Sequence, residues 1–239
     1  MSGAAAIWHD VECGSYEADL ALWDGLAERH GGPVLDLGCG TGRVSLHLAR
    51  RGHRVIAVDR DARLLAALEA RAGGLPLETV RADAGELALE EQVPLALAPM
   101  QLLQLLPSGA ERLACLLRVA ASLRPGGLFA AAIVDRLPEE GGEPPRVPDV
   151  REVDGWVYSS LPVAVDAGGE RILLRRLRQT VSPAGELSEE SDEVELCALS
   201  VTQLEAEARR AGLEPAGLRA VPPTDLHVGS VVCLFERRA

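Results

Sequence analysis

The chain has no lysine and no asparagine. All 24 of its Lys and Arg positions are arginine, set against 36 acidic residues, which leaves a formal charge of -12 over 239 residues. Both missing residues are encoded by A-rich codons, so their absence marks a GC-rich genome and says little about function. The negative balance weighs against a nucleic-acid partner, because duplex binding draws on basic side chains to neutralise phosphates. A run of roughly 20 apolar residues is also missing, so no membrane-spanning helix is expected. Residues 1–6 have neither a basic n-region nor a long apolar stretch; no signal peptide is expected, and the cytoplasm is the default compartment. The five cysteines (Cys13, Cys39, Cys115, Cys197 and Cys233) are odd in number and scattered. They form no C-x-x-C pair and no Cys/His cluster at metal-ligand spacing, so reduced thiols acting as small apolar residues, and no metal, are expected. Aromatics make up only 3% of the chain.

What is present alternates. An amphipathic helix is expected within residues 7–30, ending at Gly31-Gly32. Residues 33–37 read as a buried strand that runs into Gly38-Cys39-Gly40-Thr41-Gly42, and a helix follows as far as Gly52. Strands are expected over residues 54–58, 77–80, 94–98 and 128–134. Between them lie helices over residues 61–72, with Asp61 as N-cap, and 109–123. Strands alternating with helical patterns imply βαβ units and a parallel sheet with right-handed crossovers. Residues 137–148 are rich in Pro, Gly and Glu and read as a loop around Gly141-Gly142. Three β-like runs follow, over residues 156–165, 171–181 and 193–199, and they suggest an inserted antiparallel meander. A helix over residues 201–211, with Thr202 near its cap, and a terminal hairpin over residues 213–220 and 229–236 close the chain.

The glycine turn carries the chemistry. Closely spaced glycines after a strand let backbone approach a ligand where no Cβ fits. Arg43 stands where a dinucleotide fingerprint needs its third glycine, and Asp36 precedes the first. A carboxylate there suits a cationic amino group and repels a pyrophosphate, so the ligand reads as a cation joined to a nucleoside. Asp59, 21 residues after Gly38, can accept from ribose hydroxyls, with Arg60 beside the base. Asp83 can take an adenine amine, with the Ala84 amide on a ring nitrogen. Three acids close three consecutive strands.

Over residues 34–135 the sequence resembles the class I S-adenosylmethionine-dependent methyltransferases of the small-molecule type. Val34 to Gly42 looks like that family's first motif, and Asp59 and Asp83 look like its ribose and adenine acids. Leu123-Arg124-Pro125-Gly126-Gly127-Leu128 resembles the turn before its fifth strand. The resemblance implies an α/β fold: a Rossmann-like seven-stranded sheet with the last strand antiparallel, here with the small inserted β meander. It implies S-adenosylmethionine as cofactor and S-adenosylhomocysteine as product. The cofactor site implied comprises Asp36, Gly38, Cys39, Gly40, Arg43, Asp59, Arg60, Asp83, Ala84, Pro99 and Met100. There are departures. Gln92-Val93-Pro94 stands where the family often has an acid. Pro99-Met100-Gln101 replaces the signature of enzymes that methylate planar base or amide nitrogens, which counts against such acceptors.

Methyl transfer needs positioning more than a catalytic side chain. Candidates are the polar and aromatic groups that can reach the sheet edge: His9, Tyr16, Asp135, Trp156, Tyr158 and His227. The chain divides into an N-terminal helical lid (1–32), a cofactor-binding core (33–136 and 200–239) and an insert (137–199). The insert reads as an acceptor cap or a dimer element, which leaves a homodimer open. Methyl transfer to a small-molecule N, O or C nucleophile is the expected activity. The rival readings are an NAD-dependent oxidoreductase and a non-catalytic module that only binds the nucleoside.

Overall fold

The computed structural model describes residues 2–135, 147–224 and 227–238. Most of the loop read over residues 137–148, including Gly141-Gly142, lies outside them.

The chain opens with two helices, α1 (Ser2–Cys13) and α2 (Leu20–His30). The α/β core follows as β1 (Val34–Leu37), α3 (Arg43–Arg50), β2 (Val55–Asp59), α4 (Ala62–Ala72), β3 (Leu77–Arg81), β4 (Val93–Ala98), α5 (Leu102–Leu105), α6 (Gly109–Ser122) and β5 (Leu123–Ile133). The insert contributes β6 (Asp149–Val153), β7 (Trp156–Gly168), β8 (Arg171–Val181) and β9 (Leu187–Cys197). Then come α7 (Val201–Arg210), β10 (Leu213–Val221) and β11 (Ser230–Arg237).

The main sheet has the order β10-β11-β5-β4-β1-β2-β3. β11 is antiparallel to both of its neighbours, whereas β1 to β5 pair in parallel. This is the expected Rossmann-like sheet. Both of its faces are covered, and so its central strands are apolar along their whole length: all four residues of β1 and all six of β4 are buried. Leu35, Leu37, Ile56, Phe129 and Ile133 pack with Leu116 and Val119 of α6 and Leu204 and Ala208 of α7 on one side. Val34, Val55, Leu95 and Ala130 pack with Trp23, Leu26, Leu48 and Leu68 on the other. Switching from β4 to β1 and β2 reverses the direction of travel, so the carboxyl ends of these strands open a crevice where ligands bind.

The structure departs from the sequence reading in four places. The N-terminal region is two helices, and α1 went unrecognised because Ser2–Cys13 owes its place to contacts with α4 and the insert rather than to its own periodicity. The insert is a four-stranded sheet, not three-stranded. Its first hairpin turns at Asp154-Gly155, both at positive φ (53° and 79°), which is the aspartate-glycine chemistry of a tight two-residue turn. The short helix α5 lies in a stretch read as connection. The cap of α7 is Ser200, whose hydroxyl accepts from the Gln203 amide in a capping box, and not Thr202. Asp61 caps α4 as expected. All five cysteines are free; Cys39, Cys115 and Cys233 are buried. Among the described residues no helix is long and apolar enough to cross a membrane.

Candidate active site

β1 ends in a loop whose Gly38, Gly40 and Gly42 all have positive φ (64°, 56° and 94°), a backbone that a side chain would strain. Asp59, at the end of β2, ties this loop down: its Oδ2 accepts from the Gly40 amide at 2.9 Å and its Oδ1 from the Asp61 amide at 2.8 Å. An ionised carboxylate offers about four lone-pair positions. Two are used here, and the other two leave capacity for a pair of hydroxyls.

Asp36 is sealed at 1% exposure. The Ser45 hydroxyl donates to its Oδ2 at 2.5 Å, and its Oδ1 has no partner among the described residues. Burial pushes this carboxyl up to about 6, against the Ser45 bond that favours the ionised form. Arg43, read as lining the ligand, spends its guanidinium elsewhere. It pairs twice with Asp19 (2.6 and 2.8 Å) and donates to the Tyr16 carbonyl at 2.8 Å. That clamp fixes the segment between α1 and α2 against the start of α3. Cys39 is buried, and burial raises its thiol pKa strongly, so it acts as a small apolar residue.

Asp83 lies just past β3, exposed, with Oδ1 accepting from the Gly85 amide at 2.9 Å; Ala84 packs against the core. Arg60 is exposed beside Asp59. Pro99 is buried at the end of β4, and Met100 and Gln101 both adopt positive φ (49° and 58°). Two consecutive non-glycine residues in that region are held there by their surroundings, and such strain concentrates at ligand sites.

α1 lies on the glycine loop and packs against the insert. His9 lies on the glycine loop, its Nδ1 at 3.1 Å from Thr41 Oγ1. Trp8 meets Tyr158 edge-on at 5.4 Å, and Arg178 lies over Trp8. Glu12 accepts from Arg178 through both oxygens (2.7 and 3.0 Å) and from the Ser160 hydroxyl. Tyr16 meets His227 at 4.9 Å with the ring planes tilted by 52° and Arg43 over its ring, which joins the segment after α1 to the approach of β11. Trp156 does not join them. It sits beside the Asp154-Gly155 turn and is 41% exposed. Asp135, after β5, accepts from the Val201 amide at 2.8 Å and lines a cavity of about 270 Å³ with Val134, Arg171, Ile172 and Leu199.

Sequence reasoning missed Gln104. It is fully buried in α5. Its Oε1 accepts from the Val134 amide at 2.8 Å, and its Nε2 donates to the Val134 and Cys197 carbonyls, both at 3.2 Å. It thus binds the end of β5 to the end of β9. A lone polar residue in the run Leu102-Leu103-Gln104-Leu105-Leu106 was the signal available. Asp10 was also missed. It holds Thr41 (2.6 Å) and Arg71 (2.5 Å).

A glycine cradle at the carboxyl end of β1, an acid at the end of β2 and a sheet with one reversed strand define a Rossmann-like nucleoside-binding protein. Residues 34–127 match the family described as a methyltransferase domain. The cypemycin N-terminal methyltransferase of a Streptomyces species is 30% identical over 190 residues, 79% of this chain and 75% of that protein. The chain belongs to the class I S-adenosylmethionine-dependent methyltransferases. Among solved structures, the sugar N-methyltransferase KedS8 from Streptoalloteichus shares the fold at TM-score 0.74 and 20% identity, covering 98% of this chain and 92% of that one. A methyltransferase from Clostridium acetobutylicum does so at TM-score 0.74 and 14% identity, covering 98% of both chains.

The site's own chemistry fits S-adenosylmethionine. The positive-φ glycines turn the backbone tightly at the end of β1, with Leu102, His9 and Leu68 standing where their Cβ atoms would be, the buried Asp36 Oδ1 lacks a donor, and Asp59 retains two acceptor positions. A pyrophosphate would meet carboxylates at both strand ends and no free cation in the loop, which argues against a dinucleotide.

Proposed function

We propose that the protein methylates an amine nitrogen on a small, partly apolar molecule. Asp36, Gly38, Gly40 and Asp59 would hold S-adenosylmethionine, with Asp83, Ala84, Pro99 and Met100 around its base. When bound, the cofactor supplies an electrophilic methyl carbon on a sulfonium leaving group. The chain's part is positioning and exclusion of water. Asp135 supports the nitrogen reading, because a carboxylate lining a cavity with Val134, Ile172 and Leu199, whose Arg171 is paired with Glu195, can orient an ammonium-bearing acceptor. The net charge of -12 favours the approach of such a cation. The similarity to the cypemycin N-terminal methyltransferase and to the sugar N-methyltransferase KedS8 points the same way. Incubation with S-adenosylmethionine and a panel of amines, alcohols and carbon acids tests it: methylated amine should appear in step with S-adenosylhomocysteine. Turnover confined to alcohols or carbon acids would overturn the nitrogen assignment.

The free thiols support a cytoplasmic setting, where they stay reduced. The outer face of the insert carries Val150, Val157 and Leu187, exposed by 59%, 37% and 57%; Val157 and Leu187 both pair with Val181, and Val150 lies on the same face two residues along β6 from the partner of Val157. It is read as the face on which two copies pair. Light scattering should show a dimer that Val157→Glu converts to monomer; a monomeric parent protein at micromolar concentration sinks the idea.

A further inference from the structure

The Thr41 hydroxyl donates to Asp10 Oδ1 at 2.6 Å. Burial pushes the Asp10 carboxyl up, but its bonds to Arg71 and Thr41 outweigh this and hold it below the usual carboxylate value. Asp10 is therefore an anion with no proton to give, and a threonine hydroxyl has only one, already spent. The 3.1 Å contact between Thr41 Oγ1 and His9 Nδ1 must then be donated by the ring. His9 is the tautomer protonated at Nδ1, and its Nε2 carries a lone pair. No described residue donates to that nitrogen. It rests against the glycine loop, 2.1 Å from where a Cβ on Gly40 would stand, so only glycine admits it. Burial also lowers the affinity of the ring for a proton, helped by Arg43 and opposed by Asp10, Asp59 and Glu12.

We propose that His9 Nε2 is a cofactor-binding atom, fixed in its accepting tautomer by the relay Arg71–Asp10–Thr41, and that it takes a hydrogen bond from a proton-bearing group of S-adenosylmethionine. This rests on the methyl-transfer reading above. Of the cofactor's proton-bearing groups, the adenine amine falls to Asp83 on the reading above, which leaves the amino group of its methionine part and the ribose hydroxyls. The positions fit either, because His9 lies on the glycine loop, near enough to the Asp59 carboxylate to feel its charge. The relay also explains why an ion pair between buried Asp10 and exposed Arg71 stands behind a loop threonine: it fixes a tautomer rather than merely joining two helices.

Calorimetry with S-adenosylhomocysteine and with 5′-methylthioadenosine, which lacks the amino-acid part, tests the proposal on binding alone. His9→Leu should weaken S-adenosylhomocysteine roughly tenfold or more, the scale of one lost hydrogen bond to a charged or strongly polar group. His9→Gln, whose Oε1 can accept in a similar place, should recover most of that. Thr41→Val keeps the ring but frees its tautomer and should fall between, and the double variant should match His9→Leu alone. An equal loss for methylthioadenosine assigns the donor to the ribose; a loss confined to S-adenosylhomocysteine assigns it to the amino group. Both support the proposal.

The pH profile is a second readout. A neutral imidazole accepts and an imidazolium cannot, so wild-type affinity should hold at neutral pH and fall on acidification below the usual histidine value of 6.5. Asp10 and Glu12 from α1, Asp59 from β2 and Arg43 from α3 face the ring and set where the fall begins. His9→Gln should lose that fall, keeping only the part due to Asp36. Variants that match wild type within roughly twofold for both nucleosides, with unchanged melting, overturn the proposal alone. A wild-type protein that binds neither nucleoside overturns it together with the methyl-transfer reading.

Discussion

Gly40→Val should abolish measurable binding of S-adenosylhomocysteine while leaving the circular dichroism close to that of wild type. Two penalties coincide at this position. Its φ of 56° lies in a region where a β-branched residue is a genuine outlier, at a cost of order 1–3 kcal/mol. The new Cβ would also stand 2.1 Å from His9 Nε2 and 2.3 Å from its Cε1. An imidazole is rigid, so the whole ring must leave, and with it the contact between His9 and Thr41. The residue excluded from this position is thus His9 of the covering helix. The sequence alone suggested instead that the glycine keeps space for the ligand itself. Losing about 3–4 kcal/mol of site organisation is a factor of several hundred in affinity. The fold should survive because the two core clusters are built mainly from residues on the sheet faces, and Cys39 is the one residue of the loop that belongs to either. Gly40→Ala meets the same ring with one methyl group and should be only modestly milder. A Gly40→Val protein that binds within about threefold of wild type would show that His9 and the loop separate at no cost.

The sheet was legible because its signals are local. Residues 33–37, 54–58, 77–80, 94–98 and 128–134 are short apolar runs, each within two residues of the strand found except at the start of β5. Chain order plus right-handed crossover then leaves few topologies. The acids at Asp59 and Asp83 were readable because each closes such a run. What could not be read depends on long-range pairing. Nothing near Asp10 announces Thr41 and Arg71, 31 and 61 residues away. Glu12 finds Arg178 at a separation of 166 residues. Arg43 illustrates the same point in reverse: its place beside the glycine turn suggested a ligand contact, but Asp19 claims both of its terminal nitrogens. The insert's first strand, Asp149–Val153, was missed because three of its five residues are charged. A strand that becomes regular by pairing with its neighbour carries a weak apolar pattern of its own.

Asp59→Ala should weaken S-adenosylhomocysteine binding by roughly 1.5–3 kcal/mol through lost hydrogen bonds to a charged acceptor, a factor of about 10 to 150. The structure adds a second loss. The same carboxylate accepts from the Gly40 and Asp61 amides, so its removal leaves two backbone donors at the mouth of the site without their acceptor. Part of the effect must therefore appear in the protein without ligand, as a lower melting temperature. Asp59→Asn separates the two contributions. Its single carbonyl oxygen can keep one of the backbone bonds, and its amide nitrogen turns one acceptor position into a donor, which still suits a ribose hydroxyl that can also accept. The expected order of affinity is wild type, then Asn, then Ala, with the melting temperature following the same order over a narrower range. Calorimetry alongside differential scanning fluorimetry reads both. If Asp59→Ala lowers the melting temperature but leaves affinity unchanged, Asp59 only builds the loop and the ribose must be held elsewhere. If affinity falls with no change in melting, the two amides find water at little cost and the carboxylate acts on the ligand directly.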